Sequence, residues 1–230
     1  MRDTLGEAGL IDALPPLQRL ALAYAPARSR SALIALFALD ARLADIVRHA
    51  HEPMLAQLRL AWWREQLSGA GSAPVTGDPL LQLLRDWPGP RSALSGLAEG
   101  WEAMTGPPPL APAMFAALAE ARGQAFAALT HSADDAANAL RMGQSWALAD
   151  IAAHLSDPRE CEAVLALVRA RDWRWQRLPR ALRPLAVLHG LAARTNWLDT
   201  NWLDTGARPP EISLGPGALL AAVRIGITGR

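Results

Sequence analysis

The chain has 230 residues and a formal net charge of +1, and its composition already excludes several classes of protein. Hydrophobic residues make up 51% of it, which is too many for a disordered chain. A single cysteine, Cys161, excludes a disulfide scaffold or a metal cage built from cysteines, and we expect it to be a small buried side chain. The near-zero charge gives no general attraction to nucleic acid, so no nucleic-acid partner is expected.

The start of the chain and its apolar runs predict a cytoplasmic protein. Residues 1–14 contain three acidic side chains and lack a long apolar stretch, unlike a secretory signal. The most apolar run, Ala32 to Leu39, has eight residues, whereas a membrane-spanning helix needs about 20. Peripheral contact of the protein with the inner membrane is an alternative that these features leave open.

In chain order, the sequence predicts one helix after another, because apolar residues recur every three or four positions. One such stripe contains Leu33, Phe37, Asp40 and Val47. First-turn prolines mark several helix starts, and Ser132, three residues before an acid, predicts an N-cap. The expected helices cover approximately residues 17–25, 29–49, 53–67, 79–87, 91–104, 113–129, 133–155, 158–168, 185–194 and 217–227.

These elements predict one all-α domain over residues 1–230, because no segment alternates as a strand does and no change of composition divides the chain. Residues 1–16 are interpreted as an N-terminal extension and residues 206–230 as a linker with a short helix. The pentapeptide NWLDT occurs at residues 196–200 and again at 201–205. We interpret this repeat as a duplication in a loop or at a helix end.

The segment from Arg30 to Leu67 carries the most informative pattern. Arg30 precedes the block ALFAL at residues 35–39, and residues 58–64 read LRLAWWR. This segment resembles the squalene/phytoene synthase family, in which an arginine precedes an ALYAF block and a similar LRLAWWR string is common in bacterial members. Residues 143–148, GQSWAL, and the tail after Arg208 are also similar to the family. The resemblance implies an all-α isoprenoid-synthase-like fold around a central apolar cavity.

The acidic motifs of the family are depleted in this chain. The DDxxD motif falls on residues 44–48, ADIVR, where Asp45 is the one acid left and Arg48 takes the last place. The second motif, similar to NxxRDxxED, falls on residues 150–157, where Asp150 replaces the asparagine and Asp157 lies one residue away from a matching acid.

Enzymes of this family stabilise the pyrophosphate leaving group with Mg²⁺ ions held by carboxylates. The remaining candidates for catalytic or metal-binding acids are Asp45, Asp150 and Asp157, with Asp45 the candidate metal ligand. Because Asp45 has arginines three residues to either side, an ordinary ion pair along the helix is the favoured interpretation of that residue. Magnesium-dependent ionisation is therefore expected to be impaired.

Arginines crowd the region that corresponds to the diphosphate end of the family's site. Guanidinium groups bind phosphate without a metal, so Arg30, Arg42 and Arg48 are candidates for binding an isoprenyl diphosphate or a similar anionic lipid. The alternative is that each of them is a solvated surface arginine.

Two functions follow from the resemblance. The first is a family member that acts by binding. Relatives that assist the assembly of respiratory complex I act in this way, and the LRLAWWR string is similar to the sequence of that branch. The second is an active head-to-head prenyltransferase that condenses two isoprenyl diphosphates with Mg²⁺. Partners on a membrane surface or on another protein are compatible with either function. One site for such a contact is the cluster Trp173–Arg177, whose alternative is ordinary packing of tryptophan against arginine stems.

Overall fold

Prolines begin most of the helices. The computed structural model describes residues 4–50, 52–69, 77–195, 212 and 214–229, and this part of the chain contains helices and no strands. Pro53, Pro112 and Pro158 each stand in a first turn, where their missing N–H costs no hydrogen bond. The helices are α1 (Thr4–Asp12), α2 (Pro16–Leu22), α3 (Ala27–Arg48), α4 (Pro53–Ser68), α5 (Pro79–Arg85), α6 (Arg91–Glu102), α7 (Pro112–Ala127), α8 (Ala133–His154), α9 (Pro158–Arg169), α10 (Arg183–Ala192) and α11 (Pro216–Thr228), with short 3-10 helices at Ala103–Thr105 and Arg180–Leu182.

The all-α fold predicted from the sequence is confirmed, and the expected helices lie within a few residues of their predicted bounds. The Ser132 cap is also confirmed, since its Oγ accepts a hydrogen bond from the backbone N–H of Asp135 at 3.1 Å. Helix α1 was not predicted. It lies within the N-terminal extension and packs on α3, where Ser31 Oγ donates to Glu7 Oε1 at 3.2 Å. The two NWLDT copies lie outside the described residues.

The core is centred on α3, α7 and α8. Phe37 of α3 meets Phe126 of α7 edge to face with ring centroids 6.0 Å apart, and Phe126 meets Trp146 of α8 in the same way at 5.8 Å. These rings are almost fully buried. Aromatic contacts of this geometry stabilise a core beyond the area that they bury, so they fix the spacing of the three helices.

Two glycines bring α7 and α8 close together. A Cβ on Gly143 would lie 2.9 Å from the Cα of Gly123, and a Cβ on Gly123 would lie 2.8 Å from the carbonyl oxygen of Leu140. Any larger residue at either position would push the helices apart. This close approach allows side chains that flank the glycines to meet across the helix pair.

Helix α11 packs on α10 with one face and exposes an apolar face on the other side. Ala222 and Ile225 are buried, whereas Leu220 is 73% exposed and Ile227 69% exposed. No helix in the described part of the chain combines the length and the hydropathy that crossing a membrane requires.

Candidate functional site

A cavity of about 350 Å³ lies beside α3, α7 and α8, and residues of α2, α6, α9 and the segment after α6 also line it. Most of the lining is apolar and includes Val47 of α3, Leu118 of α7 and Ile151 of α8. Ligand sites in proteins span roughly 300 to 1,000 Å³, so this cavity is at the lower end of that range. The central apolar cavity implied by the family resemblance therefore has a counterpart in the structure.

A buried arginine occupies the polar end of this cavity. The guanidinium of Arg122, on α7, donates from Nε to Asp40 Oδ1 at 3.0 Å, and its Nη2 lies 2.9 Å from Asp40 Oδ2. Its Nη1 donates to Asp150 Oδ2, on α8, at 2.9 Å. One cation thus links carboxylates from two other helices, and two of its nitrogens contact the carboxylate of Asp40.

Two tryptophans complete the surroundings of Arg122. The guanidinium carbon lies 5.1 Å from the ring centroid of Trp101 and 5.4 Å from that of Trp146. The indole Nε1 of Trp101 also donates to Asp40 Oδ1 at 2.8 Å. Burial lowers the pKa of Arg122, but the charges and hydrogen bonds of Asp40 and Asp150 outweigh burial and raise it above its usual value. The side chain therefore stays charged, and Oδ1 of Asp40 accepts hydrogen bonds from both Trp101 and Arg122.

The backbone explains why these groups meet. Arg122 follows Phe115, Leu118 and Ala119 at spacings of three and four residues, so it points to the core side of α7. Asp40 lies in the apolar stripe of α3 in the same way. Because the glycines allow α7 and α8 to approach, Arg122 reaches Asp150 across the helix pair.

Four further polar side chains line the cavity, namely Gln18, Arg48, His154 and Glu160. Glu160 Oε1 accepts a hydrogen bond from the backbone N–H of Leu110 at 2.7 Å, and the Nδ1 of His154 lies 2.7 Å from the carbonyl oxygen of Asp150. Gln18 is 5% exposed, and its Oε1 has no hydrogen-bond partner.

The structure separates the three acids expected from the sequence. Asp150 lines the cavity. Asp45 is exposed on α3 and lies 3.1 Å from Arg48, which is the ion pair along the helix that its arginine neighbours predict. Asp157 caps the N-terminus of α9, where its Oδ1 accepts from the backbone N–H groups of Arg159 at 2.8 Å and Glu160 at 3.4 Å. Neither Asp45 nor Asp157 lines the cavity.

The three arginines expected to bind phosphate are separated as well. Arg48 lines the cavity. Arg30 donates to the carbonyl oxygen of Leu22 at 2.9 Å, and Arg42 lies 3.7 Å from Asp78, near α5. Neither of these two is part of the cavity lining.

The residues at the cavity do not fit a magnesium site. Mg²⁺ needs oxygen ligands that converge on one point, but the Arg122 guanidinium lies between Asp40 and Asp150 and bonds to both. Nowhere in the described residues do three or more acids, histidines or cysteines form a group that could hold a metal ion. The carboxylates of Asp40 and Asp150 are instead paired with the guanidinium of Arg122.

Sequence reasoning missed Arg122, although a signal for it was present. A charged residue that falls on the apolar stripe of a helix must find a partner when the stripe is buried. Arg122 on α7 and Asp40 on α3 both do so, with opposite charges. Their position on two buried stripes could have suggested the pair.

Comparison with known proteins finds a match for part of the chain. A family model described as squalene/phytoene synthase matches residues 19–103. Over these residues, which are fewer than half of the 230, the chain is similar to that family. The match covers α3 to α6 and so includes Asp40, Arg48 and Trp101, whereas Arg122 and Asp150 lie beyond it. No curated protein and no solved structure matches the chain.

The family match includes the positions of α3 that face the cavity. At residues 44–48, where the family has DDxxD, the side chains that face the cavity are Ala44, Val47 and Arg48. The one acid of this segment, Asp45, is exposed and is not part of the lining. At the second motif, Asp150 and His154 face the cavity.

Proposed function

We propose that this chain is a squalene/phytoene synthase-family protein that holds one lipid in its cavity without ionising it by magnesium chemistry. The observation that carries the proposal is the Arg122 guanidinium, which bonds to the two cavity carboxylates nearest to it. In a metal-dependent site such carboxylates would be free to hold Mg²⁺. Here they are neutralised by a side chain that cannot dissociate.

The candidate lipids are an isoprenyl diphosphate or a related amphiphile. The apolar lining supports a hydrocarbon tail, and Arg48 with His154 supports an anionic head at the α3–α8 side of the cavity. A volume of about 350 Å³ corresponds to roughly a dozen water-sized groups of ~30 Å³. This space suits one short prenyl chain better than the two that head-to-head condensation requires.

Thermal denaturation with added farnesyl diphosphate or farnesol, in the presence of a chelator, tests this proposal. We expect at least one of these ligands to raise the melting temperature without Mg²⁺, because a ligand that binds only the folded state stabilises it. Absence of any shift at high excess of both ligands would contradict it.

The alternative is an active head-to-head prenyltransferase that uses Asp45, Asp150 and Asp157 as a reduced set of metal ligands with Mg²⁺. The family match and the place of Asp150 at the cavity favour it. It requires Asp45 to leave its ion pair with Arg48. The alternative predicts release of pyrophosphate that Asp45→Ala abolishes, whereas the binding function predicts no release.

A role in assembling respiratory complex I is part of the proposal, and it rests on the LRLAWWR string. This string lies on α4, where Met54, Leu58 and Trp62 form a row of exposed apolar side chains four residues apart. Such a row supports contact with a protein partner. If the role is correct, Leu58→Glu should lower the amount of assembled complex I in cells that depend on this protein, while the variant keeps its fold.

A cytoplasmic location with peripheral membrane contact is likewise a proposal. The exposed apolar face of α11, with Leu220 and Ile227 beside Arg224, supports it. The segment from residue 173 to the C-terminus holds eight arginines and three acids, which favours an anionic membrane surface. Co-flotation with vesicles that contain an anionic lipid, lost in Leu220→Glu, would support this contact, and equal flotation of the variant would contradict it.

A further inference from the structure

Large apolar side chains are exposed at two places in the described part of the chain. Four of them lie on α4, and the others lie between residues 214 and 227, on α11 or just before it. The α11 face has the exposed Arg224 beside it, which suits the proposed contact with an anionic membrane. The face of α4 has acidic neighbours instead, and these favour a different occupant.

An open groove of about 650 Å³ runs between α4 and α6, which pack against each other. Leu58, Ala61 and Trp62 of α4 form its apolar part. Trp62 is half-buried, and its ring meets that of the buried Trp63 edge to face with ring centroids 5.3 Å apart, which restricts its movement. Tryptophan is enriched among the residues that dominate the binding energy of protein interfaces. The groove therefore has a ready anchor for a protein partner.

The charged residues of the groove leave it with an excess of negative charge. Glu65 of α4 and Glu99 of α6 line it from its two walls, and both are exposed. Neither carboxylate forms an ion pair or a hydrogen bond within the described part of the chain. The one cation among the described lining residues, Arg64, is paired with Glu102 at 2.8 Å. The carboxylates of Glu65 and Glu99 are therefore free to pair with basic side chains of a partner.

Both walls of the groove are helices, and this restricts the form of the partner. The backbone groups of α4 and α6 bond within each helix, so the groove has no strand edge to which an extended peptide could add. An amphipathic helix is the segment that places an apolar stripe in such a groove. From Leu58 to Ser68 the groove follows α4 for about 15 Å, at ~1.5 Å per residue, which matches about three turns of a partner helix.

We infer that the groove between α4 and α6 binds an amphipathic, basic helix of a protein partner. The apolar stripe of that helix covers Leu58 and Trp62. Lysines or arginines beside the stripe pair with Glu65 and Glu99. This binding mode rests on the protein contact proposed above for α4 and specifies the chemistry of the partner. An anionic membrane does not fit the groove, because the two carboxylates would repel it.

Two synthetic peptides of about five helical turns test the inference. Both have leucine at the positions of one helix face, and the remaining positions are lysine in one peptide and glutamate in the other. Each is labelled with a fluorophore and titrated with the full-length protein, with fluorescence anisotropy as the readout. We expect the basic peptide to bind about 10-fold more tightly than the acidic one. This preference should shrink at high salt, which screens exposed charges.

Charge-reversing variants show whether the two carboxylates cause this preference. Glu65→Lys and Glu99→Lys should each weaken binding of the basic peptide about 2- to 5-fold, and the double variant should prefer the acidic peptide. Glu162→Lys, at an exposed position of α9 outside the groove, is the matched control and should bind both peptides as the parent protein does. Leu58→Ala should weaken binding of both peptides, because it removes apolar contact and no charge.

Separate outcomes decide the helix groove and the assembly role. Absence of binding by the basic peptide, equal binding of the two peptides, or an unchanged preference in the double variant would overturn the inference. Self-association of the purified protein that Glu65→Lys abolishes would make a second copy of the chain the occupant and would also overturn it. If Leu58→Glu leaves the amount of complex I unchanged, the assembly role fails, while a preference for the basic peptide still supports a helical partner of another kind.

Discussion

Replacement of Arg122 by methionine tests how much the buried ion pairs of this arginine contribute to stability. The variant keeps a side chain of similar length but leaves Asp40 and Asp150 without their guanidinium partner, which now lies 2.9 Å from each of them. Breaking a buried ion pair by removing one member costs about 3–5 kcal/mol, because the remaining charge stays buried. For a chain of this size we expect the melting temperature to fall by about 10 °C.

The assay is urea or thermal denaturation of Arg122→Met beside two further variants. Arg122→Lys keeps the charge but not the fork, so its loss of stability should be intermediate. Adding Asp40→Asn to Arg122→Met removes one unpaired carboxylate and should recover part of the loss. A stability of Arg122→Met equal to that of the parent protein would refute the reasoning.

Divalent cations provide the complementary arm of the same experiment. In Arg122→Ala no guanidinium separates Asp40 from Asp150 and both carboxylates lose their cation, so Mg²⁺ or Mn²⁺ at millimolar concentration should raise the melting temperature of the variant. The parent protein should show no such shift. A specific Mg²⁺ stabilisation of the parent protein would mean that the arginine does not take the place of a metal.

Three other predictions follow from the packing. Burial lowers the pKa of His189 to about 4, so between about pH 6.5 and 4 this side chain is protonated in the unfolded chain but not in the folded one. As the pH is lowered through this range, the free energy of unfolding should therefore decrease by up to about 3 kcal/mol. His189→Leu should make melting curves less dependent on pH over the same range. Gly143→Ala should lower the free energy of unfolding in urea by about 1–3 kcal/mol, because its Cβ would lie 2.9 Å from a backbone atom of α7. Gly96→Ala, whose Cβ would have no atom within 4 Å, should stabilise α6 by up to about 1 kcal/mol. Equal effects of the two substitutions would contradict the close contact between α7 and α8. Asp157→Ala should lower the free energy of unfolding by about 1 kcal/mol through loss of the α9 cap and leave lipid binding unchanged. A loss of lipid binding in this variant would mean that Asp157 contributes to the binding site.

Local features of the fold could be predicted because the sequence encodes them over short distances. The apolar stripe of α3 and the first-turn prolines predicted where helices lie along the chain. The Asp45–Arg48 contact was predicted from the spacing of three residues between them. Adjacent tryptophans on a helix point about 100° apart. Trp63 is buried and Trp62 is 40% exposed, as that geometry predicts.

The arrangement of the cavity could not be predicted in the same way. Asp40 and Arg122 are 82 residues apart, and their contact depends on the packing of α3 against α7 and α8. Periodicity shows that each residue lies on a buried stripe, but it does not show which stripes meet. The unpartnered Gln18 is likewise a property of packing, because nothing in its neighbours along the chain indicates that α2 borders a cavity.

Release of pyrophosphate tests the central claim most directly. The purified protein is incubated with farnesyl or geranylgeranyl diphosphate and millimolar Mg²⁺, and free pyrophosphate is measured against a blank without protein. Because Arg122 bonds to both Asp40 and Asp150, we expect no release above the blank. Turnover that requires Mg²⁺ and disappears in Asp150→Asn would contradict the claim that this chain replaced the metal by its own arginine.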